Sequence, residues 1–206
     1  MSSTFSNTDT GSKPADPYTQ ANKEEGVTPQ DKIDALNNFA NACKFGMMTT
    51  RDQSSGKLIS RCMAVAAKEN NGVDYLFFTN TESHKTDELK SDPHVNIAFL
   101  DSSGQWASVA GTVTIETDRS IIRKYYSPTL KAWMGDLGDG KHDGSENDPR
   151  IGVIRVKMTT ATYAITDRTV LGRVAEVAKG MVTGEQANVN KIREITEDEV
   201  RSLRSA

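Results

Sequence analysis

The feature that most constrains the fold is a series of short apolar runs, separated by turn signals, between Phe45 and Ile165. Runs rich in β-branched and aromatic residues, bounded by Gly, Asn, Asp and Ser, are typical of strands joined by hairpins. Asn70-Asn71-Gly72 is the strongest turn signal, because Asn and Gly adopt the positive φ that tight hairpins need. The predicted strands are 45–50, 57–65, 75–78, 95–100, 105–115 and 151–158. The fifth is expected to bend at Gly111, and a second apolar run at 162–165 follows the sixth. They favour a mostly β fold, an antiparallel barrel or sandwich, and a small closed barrel suits this length.

The two ends of the chain differ from this middle part. Residues 1–27 are polar, with few apolar side chains to bury, so they are predicted to form a disordered N-terminal tail. A helix then begins at Thr28 and Pro29, a typical N-cap and first helical residue. We therefore predict a barrel domain over 28–167 and a helical or flexible C-terminal tail over 168–206.

Composition narrows the class of protein. The net charge of −3 argues against a nucleic-acid partner held by phosphate contacts. No apolar run approaches the roughly 20 residues that span a bilayer, and the first residues lack the pattern of a secretory signal. Cys43 and Cys62 lie in apolar contexts and are interpreted as reduced side chains, with a disulfide between them as the alternative. These features predict a soluble cytoplasmic protein without a membrane or nucleic-acid partner.

A candidate binding site lies where the predicted third strand ends. Hydroxyl and amide residues at 79–83 are followed by His84 and Lys85 in the first turn of a predicted helix. Helix N-termini attract anions, and cations at this end oppose the helix dipole, which is the kind of local conflict found at functional sites. Arg61, on an otherwise apolar strand, also requires a partner. We infer a phosphate site here, with a capped surface helix and a merely solvated Lys85 as the alternative.

Several common catalytic arrangements do not occur in the sequence. There is no Gly-rich phosphate loop before a helix and no serine in a nucleophile elbow. Three histidines without cysteine pairs at metal-binding spacing predict no metal site. The catalytic residues therefore stay unknown, and any chemistry is expected to be carried by a cofactor.

Four motifs occur in a recognisable order. They are Ser60-Arg61-Cys62-Met63-Ala64, Phe77-Phe78-Thr79-Asn80 followed by Ser83-His84-Lys85, Ser108-Val109-Ala110-Gly111, and Leu130-Lys131-Ala132-Trp133. This order resembles the pyridoxamine-phosphate-oxidase-like split-barrel flavoproteins, most closely their general-stress-protein branch with its fungal members. The resemblance covers about residues 31–167. It implies a six-stranded antiparallel split β-barrel that forms a homodimer, with FMN in two clefts between the subunits.

The resemblance also implies which residues bind FMN. They are Arg61, Ser83, His84 and Lys85 at the phosphate, Met63 and Ala64 along the isoalloxazine edge, Phe78 and Thr79 beside the ring and ribityl chain, and Trp106 with Trp133 of the partner subunit over the ring. As residues alone, the two tryptophans are equally consistent with core or interface positions.

The function implied is that of an FMN-binding, oxidoreductase-like protein, with NAD(P)H or a small molecule as reactant and an unknown physiological substrate. Oxidation of pyridoxamine phosphate itself is not expected, because the C-terminal part lacks an Arg-x-His arrangement. One alternative is a flavin-binding storage or stress-response module without turnover. Another is the same fold binding deazaflavin F420 or haem; F420 would require a more basic groove, and haem an axial ligand.

Overall fold

Eight strands form one antiparallel sheet in the described part of the chain, residues 16–166 and 170–206 of the computed structural model. The strands are β1 (Phe45–Arg51), β2 (Leu58–Ala64), β3 (Ala67–Glu69), β4 (Asp74–Asn80), β5 (His94–Leu100), β6 (Trp106–Glu116), β7 (Ile151–Ile165) and β8 (Lys191–Ile195). Seven of them follow the order β2-β1-β5-β6-β7-β4-β3, and β8 pairs with the C-terminal half of β7.

The connection between β2 and β3 explains why the sheet curls. These strands lie at opposite edges of the sheet, yet β2 ends at Ala64 and β3 begins at Ala67. A link of two residues spans at most about 10 Å, so the two edges must approach each other. The amide of Ala66 then donates to the carbonyl of Leu76 in β4 (2.8 Å). The predicted mostly β, antiparallel split barrel with flanking helices is confirmed.

Helices surround this sheet. They are α1 (Pro17–Asn22), α2 (Pro29–Cys43), α3 (His84–Ser91), α4 (Arg119–Tyr125), α5 (Lys131–Met134), α6 (Val170–Thr183) and α7 (Glu197–Ser205). The predicted start of α2 is confirmed, because the hydroxyl of Thr28 accepts from the amide of Asp31 (3.1 Å). Within 16–166 and 170–206, no helix combines the length and the apolar character that crossing a membrane requires.

The main core fills the inside of the curl. Along β1, Gly46, Met48 and Thr50 are buried, whereas Phe45 and Met47, which alternate with them, face outward, as expected for a strand with one buried face. A smaller cluster under α4 consists of Leu76, Ile122, Ile151 and Val153. Strand β4 lies between the two clusters, so most of its residues are buried on both faces.

A β-bulge marks β6 where the sequence predicts a bend. Its register with β7 shifts between Ala110 and Gly111. A Cβ atom at Gly111 would lie 2.4 Å from the carbonyl oxygen of Lys157. Such a contact is too short for any side chain, so this position requires glycine. The bulge lets two long strands curl together.

The predicted strand number was wrong, because residues 16–166 and 170–206 form a sheet of eight strands instead of six. All six predicted strands are present, and the last extends through the second apolar run to Ile165. The additional strands are β3, which is three residues long, and β8, which lies in the predicted tail.

Residues on both sides of the predicted barrel domain contact the sheet or its edge strand. Residues 16–27 include α1, and Asn22 there is buried and accepts from the amides of Val189 and Asn190 (3.0 and 2.9 Å). Glu24 pairs with Arg193 of β8 (2.5 Å). Both segments therefore pack on the sheet, while the predictions for residues 1–15 and 167–169 lie outside the described residues.

Candidate functional site

The turn before α3 is held by hydroxyl groups, among them those of Thr79 and Ser83, which the sequence singled out. Ser83 and Thr86 direct their hydroxyls to the carbonyl oxygen of Asn80 (2.7 and 3.1 Å), and Thr79 does the same (3.2 Å). The side chain of Ser83 makes no capping bond to the first turn of α3. The N–H groups of a first helical turn have no partner within the helix. The donors that this turn offers to an anion are therefore backbone amides more than hydroxyls.

Arg61 has a protein partner that the sequence analysis did not identify. Its two terminal nitrogens donate to the two carboxylate oxygens of Glu88 (Nη1–Oε2 2.7 Å, Nη2–Oε1 2.8 Å). Nη1 also donates to the hydroxyl of Thr50 (2.9 Å), which in turn donates to Glu88 (2.5 Å). The Glu88 side chain is 1% exposed and that of Arg61 is 27% exposed. These bonds from Arg61 hold the pKa of Glu88 below its usual range, and they raise the pKa of Arg61.

His84 extends this network to the β1–β2 turn. Its Nε2 lies 3.1 Å from a carboxylate oxygen of Asp52 and 3.5 Å from Glu88. The hydroxyl groups of Ser55 and Ser54, the Ser55 amide and His84 hold the pKa of Asp52 well below its usual range.

The three side chains of Asp52, His84 and Glu88 come close enough together to suggest a metal site. One ligand atom from each lies within 4.8 Å of the others. All four carboxylate oxygens, however, already face an N–H or O–H donor. This pattern is that of a hydrogen-bonded network, and a cation would have to displace Arg61 to use Glu88 fully.

Lys85 differs from the other charged groups at this site. It is partly buried, and desolvation lowers its pKa; the nearby charge of Arg61 adds to this effect, while Glu88 opposes it. Among the described residues, no hydrogen bond or ion pair engages its amine. A half-buried ammonium without a partner is costly, so this group is available to an anion.

The remaining predicted residues spread over three surroundings. Met63 lies on the same side of β2 as Arg61 and packs against the main core, whereas Ala64 faces outward. Phe78 packs against the smaller cluster under α4, and Thr79 is buried. Trp106, at the start of β6, is 37% exposed, and Trp133, in α5, is 85% exposed.

The structure thus brings together four predicted residues, Arg61, Ser83, His84 and Lys85, at the start of α3. Sequence reasoning missed Glu88, Thr50 and Asp52. Only Glu88 carried a usable signal, because it lies one helical turn after His84, next to the apolar Leu89. A cavity of about 730 Å³ lies away from this site, between α6 and the β5–β6 turn, and none of the predicted residues lines it.

Comparisons with known proteins agree with this geometry. A family model described as pyridoxamine 5'-phosphate oxidase like matches residues 31–188. Protein bli-3 of Neurospora crassa is 61% identical over 203 residues, which cover 98% of this chain and 97% of that protein.

Two solved structures share the fold. One, from Clostridium acetobutylicum, is described as related to general stress protein 26 of B. subtilis, of the pyridoxinephosphate oxidase family. It superposes with a TM-score of 0.57 at 16% identity, over 83% of this chain and 98% of that one. The other is a pyridoxamine 5'-phosphate oxidase-related, FMN-binding protein from Nostoc punctiforme, with a TM-score of 0.53 at 12% identity, over 68% and 85% of the two chains.

Proposed function

Because the chain belongs to the pyridoxamine 5'-phosphate oxidase-like family, we propose that it binds FMN at the start of α3 and acts as a flavin-dependent oxidoreductase. The observation that carries the proposal is the unused donor capacity at this site. Lys85 has no partner among the described residues, and the first turn of α3 presents the amides of His84 and Lys85 beside it, whereas the amide of Thr86 donates to the carbonyl of Ser83. A phosphate dianion satisfies such donors.

Arg61 adds to this capacity in spite of its bond to Glu88. A guanidinium has five N–H donors in one plane, and three of them go to Glu88 and Thr50. The Nε–H and one Nη2–H stay unused among the described residues, and these two lie along one edge. That edge can hold two oxygens of a phosphate at once. Bound FMN would supply the electron-accepting ring, while the residues of this chain bind and orient it.

The outer face of the sheet supports a homodimer. Phe45, Met47 and Leu100 are 54%, 42% and 71% exposed on this face, and Leu100 pairs with Trp106 in the β5–β6 register. Exposed apolar side chains gathered on one face mark a protein interface. In the proposed assembly this face meets a second copy, and Trp106 with Trp133 of the partner closes each flavin cleft.

The first test is the absorption spectrum of the purified protein, with and without added FMN. Bands of an oxidised flavin that are released on denaturation would support the proposal. Arg61→Ala and Lys85→Ala should each weaken FMN binding by on the order of 1.5–3 kcal/mol, or roughly 10- to 150-fold, because each removes a charge-assisted contact to the phosphate.

Lys90→Ala is the matched control for these two variants. Lys90 lies on the same helix, is exposed, and pairs only loosely with Asp87 (3.7 Å), so FMN affinity should not change. Thermal unfolding of each variant separates lost affinity from lost structure. Unchanged affinity in both Arg61→Ala and Lys85→Ala would place the phosphate elsewhere.

The dimer has its own test. Phe45→Glu should convert a dimer into a monomer in sedimentation equilibrium and weaken FMN binding, because a charge on this face cannot be buried against a second copy. Leu137→Glu is the control, since Leu137 is also more than half exposed but lies in the loop after α5. A wild type that sediments as a monomer would exclude shared clefts.

A second candidate function is flavin binding without turnover. It is favoured by the state of the carboxylates at the site, because Asp52 and Glu88 are both hydrogen-bonded and neither offers a free base. Reduction of the bound flavin by NAD(P)H distinguishes the two candidates. A flavin that NADH and NADPH never reduce at a useful rate would favour the storage or stress-response module.

A further inference from the structure

The Arg61–Glu88 pair has a geometry that a simple ion pair does not require. Glu88 receives the end of the guanidinium through both terminal nitrogens. This is the fork-to-fork arrangement, and it fixes the plane of the arginine as well as its position. The edge that carries Nε and the second Nη2 hydrogen is left pointing away from the carboxylate.

Glu88 is itself held rigidly. Its side chain is 1% exposed, and the hydroxyl of Thr50, which is fully buried in β1, donates to it (2.5 Å). Three elements therefore set one guanidinium plane: β2 carries Arg61, β1 carries Thr50 and α3 carries Glu88. The same helix α3 begins with the amides and the Lys85 amine of the candidate phosphate site.

We propose that Glu88 is a positioning residue, which orients the free Nε/Nη2 edge of Arg61 toward the flavin phosphate. This inference rests on the proposed function and names how its phosphate site is assembled. Glu88 does not touch the ligand. It acts through Arg61, and Thr50 supports it from the far side.

For the change in FMN affinity when Glu88 is replaced, the proposal predicts the opposite sign from simple electrostatics. A buried carboxylate near an anion site repels the anion, so a Glu88 that only neutralised Arg61, or competed with phosphate for it, would weaken binding. Its removal would then strengthen FMN binding. If Glu88 instead orients Arg61, its removal must weaken binding, although the site becomes more positive.

Glu88→Gln is the variant that distinguishes these cases. Glutamine keeps the size of the side chain and one acceptor oxygen. Its NH₂ group, however, faces a donor nitrogen of Arg61, so the guanidinium must turn away from the orientation that Glu88 gives it. We expect FMN affinity to fall on the order of 10-fold, because a misplaced donor loses most of a charge-assisted bond. Riboflavin, which lacks the phosphate, should bind both proteins within about 2-fold of each other.

Thr50→Val is the second variant, and it keeps the test open if Glu88→Gln does not fold. It removes the hydroxyl that fixes Glu88 and preserves the shape of the side chain, so the FMN affinity should fall in the same direction by a smaller factor. Circular dichroism and thermal unfolding establish that each variant is folded. Titrations with FMN and riboflavin, followed by flavin fluorescence, give the affinities.

The possible outcomes are separable. Tighter or unchanged FMN binding in the folded variants would overturn the positioning role of Glu88. The proposal that FMN binds at the start of α3 would not be affected. A wild type that binds FMN and riboflavin equally would also overturn it, because no phosphate contact would exist to be oriented. A wild type that binds neither flavin would overturn the proposed function and this inference with it.

Discussion

Two arginine–carboxylate pairs in this protein contain the same chemical groups but differ in what the arginine contacts. Arg150 and Asp148 form one, 6% and 0% exposed, and Arg61 and Glu88 form the other. Arg150 donates to both oxygens of Asp148 (Nε 3.1 Å, Nη2 2.6 Å) and to the carbonyls of Met134, Gly135 and His142. Arg61 donates only to Glu88 and Thr50 among the described residues.

The difference lies in the direction of the spare donors. Arg150 donates its hydrogen bonds to the loop between α5 and β7. Its partner Asp148 also accepts a hydrogen bond from the amide of Gly144 (2.7 Å). This pair is buried and serves to fix a glycine-rich loop. Arg61 keeps an unused edge in a partly exposed position, next to the unpartnered Lys85. The number and direction of the free donors therefore separate a structural arginine from a candidate binding arginine.

The comparison predicts its largest effect at Arg150. Arg150→Met should destabilise the protein by on the order of 3–5 kcal/mol, because it leaves a fully buried carboxylate without its counter-charge and three carbonyls without a donor. Arg61→Met should cost less, roughly 1–3 kcal/mol, since the Thr50 hydroxyl and His84 stay beside Glu88. Urea unfolding at neutral pH gives both values.

Arg123→Met is the control for these two substitutions. Arg123 pairs with Glu146 across 3.8 Å at the surface of the same region, with half of its side chain exposed, and such pairs contribute at most about 1 kcal/mol. The comparison fails if Arg61→Met destabilises the protein as much as Arg150→Met does, for the Arg61 pair would then be a structural element of the same kind.

The sequence predicted the fold well where each strand carries its own pattern. The six alternating or apolar runs and the bend at Gly111 are all present. The two missed strands have no such pattern: β3 is three residues long, and β8 carries three charged side chains among five residues. They are strands because β4 and β7 present free edges to them, and an edge is a property of the folded sheet.

At the site, the sequence identified the residues that conflict with their local surroundings. His84 and Lys85 are basic residues at a helix start, and Arg61 lies on an apolar strand, so each signalled a special role. Glu88 occupies an ordinary helical position and conflicts with nothing nearby in the chain. Its importance arises from burial against Arg61, 27 residues earlier, and only the curl of the sheet creates that contact. The role of these residues toward FMN stays a prediction.

The smallest expected effect is on the pH dependence of stability. It tests whether the charge of Asp148 stabilises the folded protein through its pair with Arg150. The bonds from Arg150, supported by the amides of Gly144 and Arg150, lower the pKa of Asp148 from 3.8 to about 2. A carboxyl whose pKa is lower in the folded state contributes stability above the unfolded pKa and loses it as the pH falls through the folded pKa.

Asp148→Asn removes this titration, so the comparison is the difference in unfolding free energy between the wild type and Asp148→Asn. That difference should be constant above about pH 5 and shrink as the pH falls toward about 2, because the wild type then loses the charge that the variant already lacks. Other carboxyl groups titrate in both proteins and cancel in the difference. Urea unfolding at several pH values measures it. A difference that stays constant down to pH 2 would mean that the negative charge of Asp148 adds nothing to the stability, and the loop would then be held by the carbonyl contacts of Arg150 and by hydrogen bonds that do not depend on that charge.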